Sequence, residues 1–94
     1  MQSTAKPQRN PAATHQGVGD EAIIINLETG AYYSLNDTGA MFWELLDGQR
    51  TIAACARLVA EKYEVDDVAM VEADLLELAT EFQAEGLIIV ETYH

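Results

Sequence analysis

The chain has 94 residues, of which hydrophobic side chains make up 49% and charged ones 22%. That is ordinary globular usage in a length that supports one core, with little room for both a scaffold and a deep catalytic cleft. Sixteen Asp and Glu against five Lys and Arg leave a net charge of −11, a field that repels phosphate backbones and anionic lipid and attracts cationic partners. The expected partners therefore include no nucleic acid and no membrane. The single cysteine, Cys55, allows no internal disulfide and no cysteine cluster for zinc, which fits a reducing compartment. Apolar runs such as Ile23 to Ile25 fall far short of the roughly 20 residues that span a bilayer, and the N-terminal stretch lacks the apolar segment of a signal peptide. A cytoplasmic protein is expected.

In chain order, residues 1–12 hold Lys6, Arg9 and both prolines but no large apolar side chain beyond Met1, and are expected to form a flexible tail before a domain over 13–94. A weak strand is placed around Ala13 to Val18. The β-branched run Glu21 to Leu27 and the aromatic run Ala31 to Leu35, joined by Glu28-Thr29-Gly30, predict a β-hairpin whose loop uses a positive φ at Gly30. Three helices follow. Asn36 or Asp37 caps the first, whose apolar residues Met41, Phe42, Leu45 and Leu46 stop at Gly48. Thr51 caps the second, with Ile52, Cys55, Ala56, Val59 and Tyr63 at helical spacing. The third starts at Asp66 or Asp67 and runs to about Glu85 on a stripe of Val68, Val71, Leu75, Leu78 and Phe82, and after Gly86 the run Leu87 to Val90 returns to seal the core. This order gives a small α+β domain of the winged helix-turn-helix kind, a three-stranded antiparallel sheet packed on three helices.

The residues offer little for catalysis. His15 lies in the weak first strand and His94 at the last position, so neither is held rigidly enough to serve a nucleophile. Cys55 reads as a buried small hydrophobe, the abundant carboxylates as solvated helix faces, and no phosphate loop, metal helix or calcium loop is present, so no cofactor is expected. A winged helix would present its third helix to DNA, yet that helix carries Asp66, Asp67, Glu72, Asp74, Glu77, Glu81 and Glu85 with no Lys or Arg. Phosphate would repel it. The strand Ala31 to Leu35 runs directly into a helix and lacks the lysines, prolines or inward charges that blunt a sheet edge, so it invites an added strand. Leu76 and Ala69 form an apolar shoulder on the acidic helix, about 80 to 100° from its main stripe on a helical wheel, which suggests the wall of a groove.

The stretch GAYYSLNDTGAMFWELLDGQRTIAACARLVAEKYEV, Gly30 to Val65, with the acidic helix and GLIIV after it, resembles the PqqD family of RiPP recognition elements. The matching elements are the Gly30 turn and aromatic strand ending in Leu35-Asn36, Trp43-x-Leu45-Leu46-Asp47-Gly48, Arg50-Thr51-Ile52 and Gly86-Leu87, so the resemblance covers about residues 21 to 90. It implies a non-catalytic domain that binds the leader segment of a ribosomally made precursor peptide as an extra antiparallel strand, in a cleft walled by the third helix. Free-standing versions serve lasso-peptide biosynthesis as B1 proteins, alongside a separate leader peptidase and cyclase. Carried onto this chain, the binding strand is Ala31, Tyr32, Tyr33, Ser34 and Leu35. The expected apolar wall is Val68, Val71, Leu75 and Leu76, with Asp74 or Glu72 offering charge. Competing readings are a peptide chaperone for a radical-SAM enzyme, as PqqD itself is, and an acidic adaptor or carrier. A phosphopantetheine carrier would need a serine where Asp74-Leu75-Leu76 stands. An exposed edge can also pair with its own copy, so a homodimer stays open.

Overall fold

The structure, a computed structural model, describes residues 1–90; His94 and its three predecessors lie outside the described residues. It contains β1 (Gln8–Arg9), β2 (Ala13–Val18), β3 (Glu21–Asn26), β4 (Tyr32–Leu35), α1 (Asp37–Leu45), α2 (Ile52–Lys62), α3 (Val68–Ala84) and β5 (Ile88–Ile89). The antiparallel sheet has the order β2-β3-β4, and β1 pairs separately with β5. The expected α+β architecture, a three-stranded antiparallel sheet against three helices, is the one observed.

Local chemistry accounts for each boundary. Asn36, Thr51 and Asp67 cap the three helices, their side-chain oxygens accepting from the main-chain N–H of Gly39, Ala54 and Met70, which satisfies donors no helix can bond internally. The β2–β3 hairpin turns through Gly19-Asp20, between the paired Val18 and Glu21. Gly19 takes φ +65, a conformation open to glycine at the first loop position of a tight hairpin. In β3, Ala22, Ile24 and Asn26 face the helices and are buried, while Glu21, Ile23 and Ile25 are exposed, the period of two expected of a half-buried strand.

The core joins Ile24 and Leu35 of the sheet to Phe42, Trp43, Ile52, Cys55, Val59, Val71, Leu75, Ala79 and Phe82 of the helices and to Leu87. Phe82 is its hub. Its ring stacks on Phe42 at 6.2 Å and meets Trp43 edge-on at 5.8 Å and Tyr33 edge-on at 5.5 Å. Cys55 is fully buried and desolvation pushes its thiol pKa up, so it stays protonated and inert.

Residues 1–12, expected as a flexible tail, instead lie against the body. Pro7 is fully buried. Main-chain N–H groups of Gly48, Ile52 and Ala53 donate to the carbonyls of Pro7, Ala5 and Ser3, and those of Arg9 and Asn10 donate to Leu46 and Leu87. The compositional argument counts apolar side chains, whereas this segment is held by backbone pairing, which needs none. Among the described residues no helix is long and apolar enough to cross a membrane.

Candidate functional site

β3 occupies the middle of its sheet, so among the described residues one edge of β4 has no partner strand. The register pairs Ala22 with Leu35, Ile23 with Ser34, Ile24 with Tyr33 and Ile25 with Tyr32, and the Asn26 N–H donates to the Ala31 carbonyl at 2.8 Å. Hydrogen-bonded and non-bonded pairs alternate in an antiparallel ladder. Tyr33 and Leu35 therefore exchange main-chain bonds with β3, and the N–H and C=O groups of Tyr32 and Ser34 point out along the free edge.

Across from that edge stands α3. Between them lies an open groove of about 600 Å³, lined on one side by Tyr33, Ser34, Leu35 and the start of α1, and on the other by Asp74, Leu75, Glu77, Leu78 and Glu81. Leu35 and Leu75 are buried and form its floor. As the period of two requires, Tyr33 points toward the helices and is half-buried, while Tyr32 is 73% exposed on the outer face. The Tyr33 hydroxyl donates to the Glu81 carboxylate and so bridges strand and helix.

That bond raises the Tyr33 phenol to about 12, helped by desolvation and by the charges of Glu81, Glu85 and Glu77. Because the folded value lies above the ordinary 10, the bridge contributes in full below pH 10 and is lost as pH rises toward 12. In a 295 nm titration, the difference between wild type and Tyr33→Phe should isolate a phenol with its midpoint near 12. A midpoint near 10 would mean that the bridge does not form in solution.

The end of α3 is tied to the sheet by a residue outside those expected to form the site. Asn26, buried at the end of β3, accepts from the N–H of Glu28 and Thr29 at 2.9 and 3.3 Å and donates to the Gly86 carbonyl at 3.1 Å. It ties the β3–β4 turn to the end of α3. Its signal was available, a lone polar side chain in register with Ala22 and Ile24 directly before a turn.

The site residues expected from sequence divide. Tyr33, Ser34, Leu35, Asp74 and Leu75 line the groove. Ala31 and Tyr32 adjoin it, Ala31 at the strand's start and Tyr32 through its main chain. Val71 is 7% exposed and belongs to the core, and half-buried Val68 packs against the core from the first turn of α3. Glu72 and Leu76 lie elsewhere. At 100° per residue each sits about 160° around the helix from Asp74, on the flank turned away from β4. The groove's own apolar wall residue is Leu78, which the wheel had placed with the core.

A small α+β domain with a free strand edge facing an acidic helix is the class these features define. The family model for coenzyme PQQ synthesis protein D (PqqD) matches residues 21–88, and the chain belongs to that family. Among solved structures it is similar to TbiB1 in complex with the TbiA(beta) leader peptide, at 25% identity and a TM-score of 0.77, covering 93% of this chain and 98% of that one. It also shares its fold with a lasso peptide synthetase B1 complexed with the leader peptide, at 24% identity and a TM-score of 0.76, covering 90% of this chain and 99% of that one. No curated protein matches the sequence.

Proposed function

We propose that this domain captures the leader segment of a ribosomally synthesised precursor peptide, of the lasso class, and presents it without catalysis to a separate leader peptidase and cyclase. The observation that carries the reading is the free edge of β4 facing α3 across an open groove. Main-chain bonds from Tyr32 and Ser34 supply affinity, and the groove side chains supply selectivity. The similarity to two leader-bound B1 proteins supports the lasso pathway. Holding the precursor beside its peptidase raises the effective concentration of the scissile segment, which is a sufficient role for a domain with no chemistry of its own. The family description favours a second reading, a peptide chaperone in quinone-cofactor synthesis. The two separate on which precursor is bound.

Titration of a labelled precursor peptide from the same gene cluster tests the site. Leu78→Ala truncates an apolar wall residue and is expected to weaken binding about 10-fold or more, whereas Leu76→Ala, on the far flank, should bind within about 2-fold of wild type. The reverse ranking would move the site to the α3 face that the helical wheel alone suggested.

A further inference from the structure

The groove is acidic along one side, and among the described residues none that lines it is basic. Asp74, Glu77 and Glu81 line it, Glu81 accepts from the Tyr33 hydroxyl, and Glu77 and Glu85, one helical turn to either side of Glu81, add their charges at that level of the strand. Among the described residues the one ion pair is Arg50 with Asp47, outside the groove. One turn further toward the α3 N-terminus the surroundings change. There the strand presents buried Leu35, and the helix presents Leu75 and Leu78, with the Asp74 carboxylate exposed at the rim beside them.

The register of β4 converts these two levels into a sequence requirement. A strand added to the free edge bonds to the main chain of Tyr32 and Ser34, so its residues opposite Tyr33 and Leu35 point side chains into the groove. Every pairing in this sheet is antiparallel. In that orientation the residue opposite Leu35 comes first and the residue opposite Tyr33 comes two positions later.

Resting on the strand-addition reading above, we infer that the bound segment carries the pattern apolar-x-basic. Its apolar side chain packs on Leu35, Leu75 and Leu78, and a Lys or Arg two residues later sits among Glu77, Glu81 and Glu85. The intervening residue faces the outer side of the sheet beside Ser34 and is free to vary. The cation meets carboxylates that have no other cation within the groove, and it can share Glu81 with the Tyr33 hydroxyl because a carboxylate accepts several bonds.

Selection of full-length protein against a display library of random ten-residue segments tests the pattern. Wild-type binders should be enriched in Leu, Ile, Val or Phe followed two positions later by Lys or Arg. Synthetic binders with Glu at the basic position should bind about 10-fold or more weakly. For the double variant Glu77→Gln, Glu81→Gln the ratio should fall below about 3-fold. Ser34→Pro, which removes an outward N–H and leaves the β3 ladder intact, separates the two levels of the argument. Binders that depend on Ser34 but show no basic preference, or show it in the order basic-x-apolar, overturn the pattern and leave strand addition standing. Binders indifferent to Ser34→Pro, or no binders at all, overturn strand addition itself.

Discussion

Ser34→Pro should weaken binding of the precursor peptide by about 30- to 100-fold while the domain stays folded. The size follows from what the edge supplies. Ser34 is in a non-bonded pair with Ile23, so its N–H and C=O face away from β3 and are free to exchange two main-chain bonds with an incoming strand. Proline removes the donor and places its ring where that strand must approach. Each lost main-chain bond costs about 1 kcal/mol, and holding the strand off by the ring adds a comparable amount. Within the sheet the change is mild, because proline is tolerated on an edge where its missing N–H would have faced solvent. Ser34→Ala is the control, since it changes a side chain on the outer face and leaves the main chain intact. Calorimetric titration of both variants, with circular dichroism to confirm the fold, gives the comparison, and Ser34→Pro binding as tightly as Ser34→Ala would rule out an added strand.

The largest effect on stability is expected from Phe82→Ala, at about 3–5 kcal/mol. Phe82 is fully buried and is the ring on which Phe42, Trp43 and Tyr33 converge. Its removal opens a cavity among large aromatic groups that are anchored on α1 and β4 and cannot all collapse inward. A domain of this size has about 5–10 kcal/mol of stability in total, so the variant should be close to unfolding. Phe82→Leu keeps most of the volume and should lose much less. Urea denaturation measures both. A loss below about 1.5 kcal/mol for the alanine variant would show that the aromatic cluster does not hold the sheet to α3.

Much of the fold was legible because it is written locally. The three caps fall within the boundary residues expected, Asn36 of the pair Asn36 and Asp37, Thr51, and Asp67 of the pair Asp66 and Asp67, since each acts on its own helix within three residues. The hairpin through Gly30 and the inward side of Tyr33 followed from the same short-range logic, loop chemistry and a period of two. What failed was written at long range. The strap over residues 1–12 is held by backbone groups whose partners lie at Leu46, Gly48, Ile52 and Leu87, and no composition of the segment itself announces them. The lining of the groove was not legible for a related reason. A helical wheel shows that α3 has two shoulders beside its buried stripe, one carrying Leu76 and Glu72 and the other Asp74, Leu78 and Glu81. Which shoulder meets β4 depends on how α2 and α3 pack together, and the wheel alone does not say. The groove-facing one is the more acidic.

The acidic shoulder also changes the electrostatic argument. A charge of −11 repels phosphate backbones as a whole-molecule property, but in the proposed binding mode the carboxylates that matter are the few beside Tyr33. A general negative field speeds the approach of a cationic peptide, whereas the local carboxylates decide which residue of it is held.

Amide hydrogen exchange resolved residue by residue, with and without the precursor peptide, tests the central claim most directly. In the free domain the N–H groups of Tyr33 and Leu35 already bond to β3 and should exchange slowly, while those of Tyr32 and Ser34 should exchange fast. Strand addition predicts that the peptide protects Tyr32 and Ser34 and leaves Tyr33 and Leu35 little changed. Binding that leaves both outward amides exchanging as in the free domain would place the peptide somewhere other than the edge of β4.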